Sequence, residues 1–186
     1  MTVIALHQKE IEIIQLAVDN NRQAQRKIYT QFSAKMLGVC RQYIKDIHQA
    51  EDVMITAFMK VFTNIKNFEN KGSFEGWIRR IMVNECISYI RVQKKVNFIE
   101  DESYSEESFN NIESQLSLED IQFLIDSLPE GYKMVFNLFA IEGYKHHEIA
   151  SMLGINEGTS KSQLSQARKM LQTQINKLKN YENGTE

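Results

Sequence analysis

The sequence predicts an all-α chain of two small helical domains joined by an acidic linker. Apolar residues recur at helical spacing through most of its length, and no segment alternates like a strand. Pro129 is the only proline and there are 8 glycines, so little interrupts long helices. Charge is segregated in the order basic, acidic, basic. Residues 60–95 carry eight bases against three acids, residues 96–130 carry ten acids and no base, and residues 157–180 carry five bases against Glu157 alone. The net charge of −2 conceals that order.

At 186 residues the chain has room for one or two domains. Periodicity places four helices at about 8–19, 22–45, 49–67 and 74–92, and four more at about 114–127, 130–142, 146–153 and 157–179. Between the two groups, KKVNFIEDESYSEESFNNIESQ has weak periodicity and high acidity, the composition of a linker. Domains are therefore expected at 1–93 and 114–186, with the linker at 94–113. No apolar run approaches the roughly 18 residues that span a bilayer. The N-terminal stretch has neither a basic start nor a small-residue cleavage site, so a cytoplasmic protein is expected. Cys40 and Cys86 lack the CxxC spacing of a zinc site and are expected to be buried free thiols. Neither a metal nor a cofactor is expected.

In GSFEGWIRRIMVNECISYIR, Gly72 suits a turn and Ser73 an N-cap for a helix starting at Phe74. Phe74, Trp77, Ile78, Ile81, Met82 and Tyr89 share one face, which should pack inward. Arg80, Asn84 and Arg91 fall within about 40° of one another on a different face. That row offers two cations for phosphate and one amide for a base edge, with Asn70 and Lys71 in the adjoining loop. Exposed helices also carry Arg and Asn without binding nucleic acid.

AEDVMITAFMKVFTNI has more apolar surface than one core face needs. Val53, Met54, Ala57, Phe58, Val61, Phe62 and Ile65 fill half the circumference, and Ile55 and Met59 extend the band beside Asp52 and Thr56. Two readings stand side by side: a protein-docking strip with an acidic border, or a helix buried between neighbours.

EIASMLGINEGTSKSQL reads as helix, turn, helix. Ile149, Ala150 and Leu153 suit a close crossing, Gly154 the left-handed turn, Ile155 the corner, and Asn156 the next N-cap. On the second helix Leu164, Ala167, Leu171 and Ile175 face inward. Lys161, Ser165 and Lys169 face outward, with Ser162 and Gln166 on the flank and Thr159 near the start. Short polar side chains among lysines suit the major groove, although a helical corner can also serve packing alone. His146-His147-Glu148 lacks the HExxH arrangement, and no GxxxxGK[ST] loop occurs, so neither an enzyme nor a small-molecule substrate is expected.

With these segments in this order, the chain resembles a sigma factor of the sigma-70 family, in its extracytoplasmic-function (ECF) group, over roughly residues 12–178. The resemblance implies two domains that bind core RNA polymerase and promoter DNA, and an anti-sigma partner, often membrane-bound in this family. It implies that AEDVMITAFMKVF grips the polymerase clamp, with Asp52 at the family's acidic position. Asn84 matches the asparagine that holds a base flipped from the −10 element, and Asn70 and Lys71 lie in the loop shaping its pocket. Lys161, Ser162 and Arg168 match positions that contact −35 DNA.

Ile55-Thr56 replaces a frequent Gln-Glu, which implies more apolar docking. Gln163 and Gln166 stand where arginines are frequent. Ser160 replaces a frequent valine, and its hydroxyl is expected to bond back to a helical carbonyl. The rival reading is a stand-alone dimeric helix-turn-helix repressor, which would bind a near-palindrome tightly without polymerase. In the sigma reading the linker threads toward the RNA path and its acids mimic nucleic acid. Neutralising Glu100, Asp101, Glu102, Glu106 and Glu107 is then expected to alter abortive initiation, and unchanged RNA product lengths would refute the mimicry.

Overall fold

Two adjacent asparagines separate the first two helices, and each has a different task. Asn20 adopts φ +60°, the left-handed conformation that ends a helix and that asparagine tolerates better than most residues. The side chain of Asn21 then accepts bonds from the backbone N–H groups of Gln23 at 3.0 Å and Ala24 at 3.1 Å, capping the next helix. The computed structural model describes residues 3–96 and 117–183. All its regular elements among these residues are helical. The chain divides into two units between Lys95 and Val96.

The first unit contains α1 (Val3–Val18), α2 (Arg22–Tyr43), α3 (Ile47–Asn64) and α4 (Phe74–Val96). Along α2 the buried residues Ala24, Ile28, Phe32, Met36, Cys40 and Tyr43 form one stripe at helical spacing. Ile44 is extended at φ −115° and ends α2. Asp46 accepts from Gln49 N–H at 2.8 Å, so α3 begins slightly before the expected 49. The last turn of the expected third helix is a 3₁₀ turn, Ile65–Asn67. Helix α4 packs on α2 through Phe32–Phe74 and the Lys35–Glu75 ion pair, and meets α3 through the Lys60–Glu85 pair. Cys40 and Cys86 are buried free thiols in mutual contact. The hydrogen bond that the Cys86 thiol makes to Cys40, together with burial, pushes that thiol far above its ordinary value.

The second unit contains α5 (Leu118–Asp126), α6 (Glu130–Phe136), α7 (His146–Leu153) and α8 (Glu157–Asn183). A reciprocal pair starts α5: Asp120 N–H donates to Ser117 Oγ at 3.1 Å, and Ser117 N–H donates to Asp120 Oδ2 at 2.8 Å. The periodicity predicts one continuous helix over about 130–142. Instead α6 opens at its end into a π turn, Asn137–Ile141, where Glu142 N–H reaches back five residues to Asn137 C=O at 3.0 Å. The core joins Leu124, Leu128, Met134, Val135, Leu138, Ile149, Leu164 and Ala167. Most of the acidic stretch expected as a linker lies outside the described residues, as does the expected start of α5 at 114. Among the described residues no helix is long and apolar enough to cross a membrane.

Lys133 and Asp126 form a buried pair, Nζ donating to Oδ1 at 3.2 Å, with side chains 7% and 4% exposed. Removing one partner leaves the other charge in an apolar environment. Lys133→Met is expected to destabilise the second unit by about 3–5 kcal/mol. The double change with Asp126→Leu should recover most of that loss, as read by urea unfolding.

Candidate nucleic-acid interface

The loop between α3 and α4 is held from below by rings. Phe68 lies 5.0 Å from Phe74 and 5.6 Å from Trp77, and Phe74 and Trp77 stack at 5.8 Å. Trp77 is thereby part of the packing. Above this cluster the chain turns sharply, with Asn70 at φ +56° and Gly72 at φ +94°. Ser73 Oγ accepts from Gly76 N–H at 3.3 Å and starts α4. A cleft of about 290 Å3 opens beside the loop, lined among others by Asn70, Gly72 and Ser73 and by Glu10 and Ile14 of α1.

The buried stripe of α4 is wider than the expected one. Phe74, Ile78, Met82, Val83, Cys86, Ile87 and Ile90 are all buried, and Trp77, Ile81 and Tyr89 are half-buried. Arg80, Asn84 and Arg91 remain exposed on the narrow outer face, as do Asn70 and Lys71 in the loop. Arg80 enters no ion pair among the described residues, whereas Lys71 is paired with Glu69 at 2.7 Å. Between Asn84 and Arg91, Ser88 turns its hydroxyl onto the Asn84 carbonyl at 2.9 Å.

On α3 the outward strip is apolar in fact as well as in composition. Ile55 is 50% and Met59 66% exposed, beside exposed Asp52 and Thr56. Thr56 spends its hydroxyl on the Asp52 carbonyl at 2.9 Å, and Thr63 donates to Met59 C=O at 2.7 Å. These donors are thus turned toward their own helix.

In the second unit Ile149 is fully buried under α8, and Gly154 at φ +68° makes the turn. Asn156 Oδ1 accepts from Thr159 N–H at 2.7 Å and from the Thr159 hydroxyl at 3.0 Å. Thr159, read from sequence as a contact residue, is therefore half-buried and engaged in the cap. Lys161, Ser162, Ser165, Gln166, Arg168 and Lys169 are exposed, and Gln163 is half-buried. A Cβ on Gly131 of α6 would meet the Gln163 amide at 3.1 Å, so that glutamine packs inward and only Gln166 stands outward. Lys161 lies 2.7 Å from Glu157. Its ammonium hydrogen bond and charge hold the Glu157 carboxyl below its ordinary value.

Ser160 departs from expectation. Its fully buried hydroxyl bonds His146 Nδ1 at 2.9 Å, across to α7, rather than a carbonyl of its own helix. The His146 ring stacks on Phe139 at 4.7 Å, and the Arg168 guanidinium lies 5.5 Å from the centre of the same ring. None of this is visible as a motif. Phe139 reads as one more apolar residue and His146 as a helix start, and only the π turn and the helical corner bring them together.

The geometry defines a class: a two-unit helical protein whose second unit carries a helix-turn-helix with a polar outer face. The family model for sigma-70 region 2 matches residues 28–96, and that for sigma-70 region 4 matches residues 118–171. Sigma factor SigV of Bacillus subtilis is 29% identical over 135 residues, 73% of this chain and 81% of that protein. The ECF sigma factor SigW of the same organism is 29% identical over 161 residues, covering 79% and 86%. The ECF sigma factor SigE of Mycolicibacterium smegmatis is 30% identical over 139 residues, 70% of this chain and 53% of that protein. The fold is also that of the sigma factor RpoE of Bartonella quintana, solved in complex with the anti-sigma factor NepR. There the TM-score is 0.54 and identity 21%, covering 81% of this chain and 96% of that one. The chain belongs to the sigma-70 family, in its ECF group, and is a DNA-binding factor of transcription initiation. Sigma factors are initiation factors rather than enzymes.

The turn itself can be tested. A Cβ at Gly154 would touch nothing within 4 Å, so only its left-handed backbone opposes a side chain. Gly154→Ala is expected to lower the stability of the second unit by about 1–2 kcal/mol, and Gly154→Asn by distinctly less. Thermal unfolding of the two variants checks the order.

Proposed function

We propose that this chain docks on core RNA polymerase through the outer strip of α3 and directs initiation at promoters by two separate DNA contacts. Asp52, Ile55, Thr56 and Met59 form the docking strip, whose apolar centre with an acidic edge suits a protein partner. The outer face of α8, with Lys161, Ser162, Ser165, Gln166, Arg168 and Lys169, enters the major groove of the −35 element, while Thr159 secures the cap at its start. Arg80, Asn84 and Arg91, with Asn70 and Lys71, capture an unstacked base of the −10 element. Extruding that base costs about a few kcal/mol, which the polymerase contacts and the −35 anchor must offset.

The observation that carries this reading is the outer face of α4. A helix so widely buried still presents Arg80 and Asn84 to solvent, one turn apart, and among the described residues Arg80 enters no ion pair. That row offers a cation for phosphate and an amide for a base edge. An anti-sigma protein as the inhibitory partner follows from the resemblance and from the complex in which the RpoE neighbour was solved. Action in the cytoplasm belongs to the same proposal.

Run-off transcription with purified core polymerase on templates from the source genome tests the reading. Defined starts that require this chain are expected. Asn84→Ala should keep the complex with polymerase yet lose the transcripts, and Ile55→Asp should weaken the complex itself, by about tenfold or more. A stable dimer that binds a near-palindrome tightly, with no polymerase complex, would overturn it.

A further inference from the structure

We propose that Phe139, His146 and Ser160 are positioning residues that hold Arg168 ready for DNA, an inference resting on the reading of Arg168 as a −35 contact. At 100° per residue Arg168 shares a face of α8 with Lys161 and Ser165, within about 60°. Buried Leu164 and Ala167 border it on the other side. Arg168 therefore sits on the rim between core and outer face, where a long side chain can point either way.

Three contacts through three elements decide the direction. Ser160, fully buried near the start of α8, bonds His146 Nδ1 at the start of α7. That bond sets the imidazole plane, on which the Phe139 ring stacks with an interplanar angle of 23°. The π turn carries Phe139, and the Arg168 guanidinium lies over its ring. The set is closed, because Ser160 and Arg168 belong to the same helix about two turns apart. A π turn is a rare departure from helix geometry that recurs at functional positions. Here it bears the ring on which the cation rests. An arginine already seated on an aromatic face loses fewer rotamers when a phosphate or base edge takes its donors.

The test uses holoenzyme reconstituted from the full chain and core polymerase, with a promoter fragment mapped in the run-off assay as probe. Affinity is measured across a salt series. Arg168→Ala should lower the slope of log affinity against log salt by about one. Phe139→Leu and Ser160→Ala should each weaken binding by about three- to fivefold. Both penalties should vanish in the Arg168→Ala background, which a loss of general stability would not produce. Thermal unfolding of each variant is read in parallel. If Phe139→Leu costs the same with and without Arg168, or costs nothing while Arg168→Ala weakens binding, the positioning role fails and the −35 reading stands. If Arg168→Ala leaves affinity and slope unchanged, the −35 reading of that residue fails and the positioning role with it.

Discussion

Phe74 occupies the first position of α4 at 2% exposure, in ring contact with Phe32 of α2, Phe68 of the loop and Trp77 one turn on. Burial of one such ring is worth about 1.5–3 kcal/mol, and its consequence is larger than its energy. A helix turns by a fixed angle per residue, so seating one side chain fixes the direction of all the others. With Phe74 and Ile78 held in the core, Arg80 and Asn84 have no choice of face. Through Phe68 the same cluster anchors the loop that carries Asn70 and Lys71. The polar row and the loop beside it are thus two results of one apolar contact.

The second unit is organised differently. Its core admits polar groups: Lys133 paired with Asp126, Asn137 at the π turn, and Ser160 bonded to His146. Buried polar groups contribute little net stability, but an unmade bond is expensive, so they discriminate strongly between alternative packings. The first unit instead leaves Ile55 and Met59 uncovered on α3, a strip that water tolerates and a protein partner can use.

Two cations of the outer faces are paired: Lys161 with Glu157 and Lys71 with Glu69. Solvent-exposed pairs of this kind are screened by water and are readily exchanged for a stronger anion. Such pairing is consistent with a chain of net charge −2 that nevertheless concentrates its bases in two blocks.

Helix periods, the capping residues Ser73 and Asn156, the turn at Gly154 and the outward direction of Arg80, Asn84, Ser165 and Lys169 were all legible in the sequence. These are local properties: a side chain that bonds its own backbone, or a period of 3.6 residues, acts within a few positions. The width of the buried face of α4, the inward packing of Gln163 against Gly131, the π turn and the set formed by Phe139, His146, Ser160 and Arg168 were decided only by tertiary structure. Each depends on which residues of distant segments come to lie against one another. A hydroxyl such as that of Ser160 has bonds of similar worth open to it on its own helix and on a neighbour, and packing alone selects between them.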